Sequence, residues 1–223
     1  MPRGELAAIG EHVTERTAAV IVEPIQGLGG AYDLGAPFLK ALRQRCDATG
    51  ALLIFDEVQC GMGRTGHPFA ANMHGVTPDM LTTAKALGNG FPCAALLMGP
   101  TVASAIKLDA LGTTFGGGPL ACAAIEAVIE AIESERLMEQ VRRVSAYLRA
   151  RCVVGPVKGH QGAGFLTGLI TTRPAKEIQA ELLTRGILTG TASDPHVVRI
   201  LAPYILEESH VDLLRDALQD LAT

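Results

Sequence analysis

The amino-acid sequence predicts an α/β protein, with an open, mostly parallel sheet in its first part and a smaller α+β domain after it. Two apolar segments that end in acids, residues 18–23 and 52–57, predict strands. Residues 37–50, between them, have apolar side chains at helical spacing and end at a glycine. A strand, a helix and a strand at this separation are typical of a βαβ unit, so the two strands are expected to be parallel in one sheet.

Further elements follow in chain order. Residues 79–85 and 95–99 predict two more strands of the sheet. Residues 120–152 have few helix breakers and predict a long helix that bends or restarts near Ser134. After this helix, short apolar segments alternate with helical ones, which predicts the smaller α+β domain. These strands and helices are 164–170, 174–185, 196–201 and 207–221.

Charge and composition exclude several classes of partner. The 223 residues carry a formal net charge of −4, which gives no electrostatic reason to expect nucleic acid or an anionic membrane as partner. The first residues are charged throughout and lack the apolar core of a signal peptide, which predicts a cytoplasmic protein. The five cysteines form no C-x-x-C pair and the six histidines have no metal-ligand spacing. We therefore expect reduced thiols and no metal site.

The acids at the end of the second strand allow two interpretations based on nucleotides. An apolar strand followed by two acids resembles a Walker B strand, but the phosphate loop G-x-x-x-x-G-K-[ST] that it needs is absent from the sequence. Residues 61–66, GMGRTG, match the dinucleotide motif G-x-G-x-x-G. However, residues 58–60 separate this motif from the strand, and the acid expected about 20 residues further on is Lys85. Both matches are weak.

A pyridoxal phosphate site accounts for more of the sequence. This cofactor needs an acid against its pyridine nitrogen and a lysine that forms a Schiff base. Asp56 lies at the carboxyl end of a predicted strand, where α/β sheets bind ligands. Lys85 ends another predicted strand and is followed by the small and glycine residues of ALGNGFP. These small residues would let a cofactor approach the backbone.

Five motifs in order resemble the class III aminotransferases, which are fold-type-I pyridoxal phosphate enzymes. The likeness is greatest to the acetylornithine/ornithine aminotransferase branch, which serves arginine biosynthesis. It extends from about residue 17 to the C-terminus. The motifs are EPIQGLGG (23–30), FDEVQCGMGRTG (55–66), DMLTTAKALGNGFP (79–92), GTTFGGGPLACAA (112–124) and VVRILAPYIL (197–206).

The resemblance implies roles for four residues around the cofactor ring. Asp56 matches the aspartate that pairs with the pyridinium nitrogen, and Val58 matches the residue packed against one ring face. Gln59 matches the side chain near the phenolic oxygen of the cofactor. Lys85 matches the Schiff-base lysine, which then moves a proton as general base and acid. The structural alternatives are a loop-capping aspartate and a solvated lysine at the end of an element.

Three further residues are implied at the edges of the site. Glu23 opens EPIQG and either faces the cofactor region or is a structural carboxylate. Thr114 resembles the threonine that bonds the cofactor phosphate of the neighbouring subunit, which implies a homodimer with shared sites; alternatively it is a turn threonine. Arg199 resembles the arginine that binds the substrate α-carboxylate; alternatively it is a surface arginine on a strand. The implied reaction moves an amino group from an acetylornithine- or ornithine-like donor to a 2-oxo acid such as 2-oxoglutarate.

The chain departs from the family in two ways. It is about half a family member and matches the C-terminal half, so residues 1–118 are expected to be the later part of the cofactor-binding domain and residues 119–223 an interdomain helix with the small domain. The N-terminal half of the family supplies the glycine-rich phosphate turn and an aromatic on the other ring face. We therefore expect weak activity or none from this chain alone. The alternative is a non-catalytic fragment, or a partner subunit of a split or full-length aminotransferase.

Leu28 is the second departure, because many members of this branch have a glutamate there. That glutamate is thought to neutralise the carboxylate-binding arginine when no α-carboxylate is present. Leu28 cannot do this, which puts acetylornithine as the donor in doubt. Alternatively, Leu28 packs against the wall of the pocket.

Overall fold

A computed structural model describes residues 1–221, which form two compact units. Unit 1 consists of Met1–Pro24, Leu34–Met62 and Phe69–Ser134. Unit 2 consists of Ile25–Asp33, Gly63–Pro68 and the chain from Glu135 onward. Two short segments early in the sequence thus belong to the unit that contains the C-terminal part of the chain.

The elements alternate along the chain. The helices are α1 Leu6–His12, α2 Gly35–Thr49, α3 Ala70–His74, α4 Pro100–Ala105, α5 Pro119–Ser134, α6 Leu137–Arg151, α7 Ala175–Thr184 and α8 Glu208–Gln219. The strands are β1 Ala19–Val22, β2 Ile25–Gln26, β3 Tyr32–Asp33, β4 Leu52–Asp56, β5 Met80–Thr83, β6 Ala95–Met98, β7 Val157–Ala163, β8 Leu166–Thr171, β9 Gly190–Thr191 and β10 Val197–Ile200.

Unit 1 is built on a four-stranded sheet in the order β1-β4-β5-β6. The first three strands are parallel, and β6 runs antiparallel to β5. Leu53 and Phe55 of β4 are fully buried, because alternate side chains of the strand face the core. Helix α2 packs on β4 through a buried stripe that includes Leu39 and Leu42, and it ends at Gly50 with φ 76°.

Unit 2 contains an antiparallel sheet in the order β7-β8-β10-β9, and the short β2–β3 hairpin contacts β7. Helices α6 and α8 pack together over a core shared with β8 and β10. Val144, Leu148 and Leu218 of the helices and Leu169 and Val198 of the strands are almost completely buried in this core. Apolar side chains at period 3.6 form the buried faces of the helices, whereas β8 and β10 are buried over most of their length.

The structure confirms the predicted fold class. Every strand and helix predicted from the sequence is present, with each end within two residues of its predicted position, and the long helix is divided into α5 and α6. The division follows Ser134, and Arg136 adopts a left-handed conformation with φ 54° before α6 begins. The short elements α1, α3, α4, β2, β3 and β9, and the longer strand β7, were not predicted from the sequence. Short elements have too few residues for a reliable periodicity, and β7 has several polar and glycine residues.

The division into units differs from the predicted domain boundary between residues 118 and 119. Helix α5 clusters with unit 1, and residues 25–33 and 63–68 cluster with unit 2. The reason is tertiary packing, which a linear reading of the chain cannot detect. The end of the predicted second domain, residues 222 and 223, lies outside the described residues.

Three further properties hold for residues 1–221. No helix there is long and apolar enough to cross a membrane. No group of three or more potential ligands among His, Cys, Asp and Glu could hold a metal ion in the same range. All five cysteines are free thiols, and Cys46, Cys60 and Cys152 are buried.

Candidate functional site

The carboxyl edge of the unit 1 sheet brings several predicted site residues together. Val22 of β1 is in register with Phe55 of β4, so the next residues, Glu23 and Asp56, lie side by side. Asp56 is in turn in register with Thr82 of β5. Since adjacent strands are about 4.8 Å apart, these residues form one row across the sheet edge.

Asp56 is held by its neighbours on this edge. Its Oδ1 atom accepts a hydrogen bond from the Val58 N–H at 3.1 Å and from the Thr82 hydroxyl at 3.3 Å. Within residues 1–221 no hydrogen bond or ion pair engages Oδ2. A half-buried carboxylate with one oxygen fixed and the other available suits a cationic N–H group.

Glu57, the second acid of the pair, has a structural role. Its side chain is fully buried and accepts hydrogen bonds from the first two N–H groups of α3, those of Ala70 at 2.5 Å and Ala71 at 2.7 Å. Burial raises the pKa of this carboxyl, although the two backbone N–H groups act in the opposite direction. Sequence analysis gave Glu57 no role of its own. The available signal was strand alternation, which directs adjacent side chains to opposite faces of a sheet.

Lys85 follows β5 and begins a short 3-10 turn, Lys85–Leu87. Its backbone is left-handed with φ 48°, which is uncommon for a residue with a β-carbon. The side chain is exposed, and no hydrogen bond or ion pair engages it within residues 1–221. A solvated lysine would also be exposed, but it would not explain the strained backbone. Strain of this kind is concentrated at functional sites.

Val58 and Gln59 lie in the turn after Asp56 and are half-buried. The Oε1 atom of Gln59 is buried without a hydrogen-bond partner in the described chain. Because buried polar atoms are nearly always paired, this amide fits a site that receives a polar ligand. This sheet edge thus offers an available carboxylate oxygen, an unpaired lysine and an amide with an unpaired oxygen. Pyridoxal phosphate requires the acid and the lysine, so the residues present fit this cofactor.

Arg199 lies on β10 in unit 2, and backbone groups orient its guanidinium. Nε donates to the Thr191 carbonyl at 2.6 Å, and Nη1 donates to the Gly27 carbonyl at 3.2 Å. Neither bond uses Nη2, and no carboxylate of residues 1–221 pairs with this arginine. An oriented, half-buried guanidinium with free N–H groups differs from a surface arginine and suits a carboxylate ligand.

Leu28 follows the Gly27 carbonyl that Arg199 contacts. Its own carbonyl accepts a hydrogen bond from the Ser193 N–H at 3.0 Å. The Leu28 side chain is 71% exposed, so most of its surface faces solvent. Leu28 therefore directly follows a residue that hydrogen-bonds Arg199, but its own side chain offers the guanidinium no negative charge.

Thr114 lies in the irregular segment before α5 and is exposed. No hydrogen bond to its side chain occurs within residues 1–221. The adjacent Phe115 is 92% exposed. The structure therefore does not join Thr114 to the row formed by Glu23 and Asp56.

The GMGRTG segment is not a dinucleotide loop. In that motif the glycines open a helix directly, whereas the next helix here, α3, begins only at Ala70. Its left-handed residues Met62, Gly63 and Gly66 form turns, with φ values of 54°, 86° and 83°.

Comparison with known proteins supports the same assignment of fold. The model of the family Aminotransferase class-III matches residues 3–221. The acetylornithine aminotransferase of Methanocaldococcus jannaschii is 38% identical over 100% of this chain and 57% of its own length.

Two solved structures extend the comparison. N-acetylornithine aminotransferase from Stenotrophomonas maltophilia is 34% identical with a TM-score of 0.87, over 98% of this chain and 60% of that chain. Ornithine aminotransferase from Toxoplasma gondii, in a structure with pyridoxal phosphate at partial occupancy in its active site, is 28% identical with a TM-score of 0.87, over 98% and 54%.

The described architecture is thus part of the large domain and the small α+β domain of the fold-type-I pyridoxal-phosphate-dependent transferases. The chain belongs to the class III aminotransferase family. It spans a little over half the length of the curated relative, at 57%.

Proposed function

We propose that this chain contributes the cofactor-binding acid and lysine of a cytoplasmic, pyridoxal 5'-phosphate-dependent aminotransferase. The observation that carries the proposal is the sheet edge on which Asp56, with one oxygen fixed, precedes the strand that leads to the left-handed Lys85. The proposed reaction moves an amino group from an acetylornithine- or ornithine-like donor to a 2-oxo acid such as 2-oxoglutarate.

Each residue has a defined task in this proposal. When bound, pyridoxal phosphate supplies a ring that accepts electrons from the substrate carbon. Asp56 would keep the proton on the ring nitrogen through its available Oδ2 oxygen. Lys85 would hold the cofactor through Nζ, and its amine would serve as general base and acid for the proton at the substrate carbon. Val58 would pack against the ring, and the amide N–H of Gln59 would donate to the phenolic oxygen.

Arg199 is the proposed binding group for the substrate carboxylate. Its two backbone hydrogen bonds fix the guanidinium before a substrate arrives, which lowers the entropy lost on binding. Because Leu28 is uncharged, no carboxylate at this position competes with the substrate. We infer that Arg199 stays available to a substrate carboxylate. In the same proposal Glu23, directly after β1, faces the cofactor.

The proposed partner is a second copy of the chain, with Thr114 reaching the neighbouring site. The support is an exposed apolar surface around this threonine, since a patch of this kind on a soluble protein marks an interface. Its members are Leu108, Leu111, Phe115 and Leu120, with exposed fractions of 93%, 66%, 92% and 69%.

Trapping the cofactor on Lys85 tests the proposal. We expect borohydride treatment with pyridoxal phosphate to label one tryptic peptide, the one containing Lys85, and to change the absorbance spectrum. Lys85→Ala should abolish the label, and Lys40→Ala, an exposed lysine on α2, should leave it unchanged. Equal labelling of several exposed lysines would contradict a specific site.

A second candidate is a non-catalytic chain that pairs with another part of a split or full-length aminotransferase. It is favoured by the edge strand β1, which pairs only with β4 in the described structure and leaves Ile21 63% exposed. This candidate predicts no label on Lys85 in the chain alone and a label once the partner is added.

A further inference from the structure

The segment Gly63–Pro68, which we call the anchor loop, belongs to unit 2 although the chain on both sides belongs to unit 1. Its backbone closes on itself, because the Gly66 N–H donates to the Gly63 carbonyl at 2.9 Å and the Gly63 N–H to the Pro68 carbonyl at 3.1 Å. Both glycines are left-handed, with φ 86° and 83°. The glycines of GMGRTG thus serve a compact turn.

Three elements of unit 2 hold the anchor loop. The Phe165 N–H, next to β8, donates to the Arg64 carbonyl at 2.9 Å. Arg142 of α6 donates through Nη1 to the Gly66 carbonyl. The side chain of Arg64 itself donates through Nη1 to the Ala202 carbonyl, in the segment after β10.

Arg64 also stacks on an aromatic ring in this segment. Its guanidinium carbon lies 4.5 Å from the centroid of the Tyr204 ring, within the range of a cation–π interaction. Burial raises the pKa of the Tyr204 hydroxyl, and the charge and hydrogen bonding of Arg64 oppose this rise. A planar guanidinium can donate an N–H and stack at the same time, which a lysine ammonium does less well.

The positions of these contacts along the chain define what Arg64 connects. The loop that ends at Arg64 begins at Asp56 and contains Gln59. The segment that ends at Tyr204 begins at Arg199 and contains Ala202. Arg64 therefore joins the far ends of two segments, each of which starts at a proposed ligand-binding residue.

We propose that Arg64 is a positioning residue that fixes the loop after Asp56 to the segment after Arg199, so that the two segments order together. The anchoring itself needs no cofactor. Its consequence for the reaction rests on the proposed function, because only then do Asp56 and Arg199 act on bound molecules.

Hydrogen–deuterium exchange on the full chain tests the anchoring. Arg64→Met and Tyr204→Leu should each raise exchange about tenfold at residues 57–62 and 200–206, the equivalent of about 1.4 kcal/mol. Tyr204→Phe keeps the ring but loses the hydroxyl that hydrogen-bonds Arg64, so it should raise exchange less than Tyr204→Leu. Arg185→Met, which alters an exposed arginine at the end of α7, should leave both segments unchanged.

Two results would overturn the anchoring: faster exchange confined to residues 63–68, or unchanged exchange at residues 200–206 in Arg64→Met. The consequence for the site has a separate readout. Arg64→Met should raise the dissociation constant for pyridoxal phosphate about tenfold. An unchanged constant would show that Arg64 anchors the two segments without affecting cofactor binding. If the wild-type chain does not bind the cofactor, the proposed function fails, while the exchange pattern still decides the anchoring.

Discussion

At the scale of single residues, two adjacent acids have opposite environments. Asp56 lies at a sheet edge with one free carboxylate oxygen, and Glu57 is fully buried against the start of α3. The alternation of side chains along a strand produces this difference. Only Asp56 can therefore bind a ligand, and Glu57 stabilises the turn that follows Asp56.

Glu57 should make stability depend on acidic pH. Its pKa in the folded chain is raised above the ordinary value of 4.5, so the folded state retains a proton that the unfolded chain releases. Its contribution to the unfolding free energy is therefore largest below pH 4.5 and is lost as pH rises to the raised pKa. Each pKa unit by which the folded value of Glu57 exceeds its unfolded value corresponds to about 1.4 kcal/mol of unfolding free energy.

Denaturant unfolding of the wild type and Glu57→Gln between pH 4 and 8 measures this contribution. The stability advantage of the wild type over the variant should decrease as pH rises. A constant or growing advantage would show that the buried carboxyl does not hold its proton in the folded state.

The residues of the candidate site differ in how far the sequence indicated them. Asp56 and Lys85 were predicted because each ends a recognisable strand and the cofactor's chemistry requires both an acid and a lysine. The cap that Glu57 makes on Ala70 depends on a contact between residues well apart in the chain. Strand alternation indicates that Glu57 faces away from Asp56, but it does not indicate this contact.

At the scale of elements, apolar segments were sufficient to predict the major strands, and helical spacing was sufficient for the helices. Strands β1 and β4 follow their predicted bounds closely because each is a continuous apolar segment, and helix α2 does so because its apolar side chains recur on one face. The assignment of residues 25–33 and 63–68 to unit 2 was not predictable. It arises from contacts with β7, β10 and α6 that form only in the folded chain.

The turn between β7 and β8 should be intolerant of a side chain at Gly164. This glycine is left-handed with φ 54°, and an added Cβ would lie 2.4 Å from the Arg64 carbonyl oxygen. Gly164→Ala should therefore destabilise the chain by the left-handed penalty of about 1 kcal/mol plus about 1–3 kcal/mol for the clash.

Gly186→Ala provides the matched control for this measurement. Gly186 is also left-handed, with φ 76°, but nothing lies within 4 Å of the position that an added Cβ would take. Only the backbone penalty applies there. If chemical denaturation gave equal losses for the two variants, the close packing of Gly164 on the anchor loop would be refuted.

At the scale of the whole molecule, the proposed dimer makes each site depend on two chains. Thr114 lies in an exposed apolar segment and is not joined to the row that contains Asp56. A threonine that reaches the neighbouring copy would explain both features.

Mixing two inactive variants tests the shared site. Lys85→Ala and Thr114→Val should each reduce cofactor trapping as pure proteins. In a mixed dimer, Lys85 of one chain and Thr114 of the other restore one complete site of two. Trapping should then reach about half the wild-type yield in isolated mixed dimers. No recovery would mean that both residues serve the same chain's site or that no dimer forms.

The most direct test of the central claim is the protonation state of the cofactor's ring nitrogen, measured by ¹⁵N NMR on the protein loaded with labelled pyridoxal phosphate. We predict a protonated ring nitrogen in the wild type and in Thr82→Val, and an unprotonated one in Asp56→Asn. The same protonation state in the wild type and in Asp56→Asn would contradict the assignment of this sheet edge as the cofactor site.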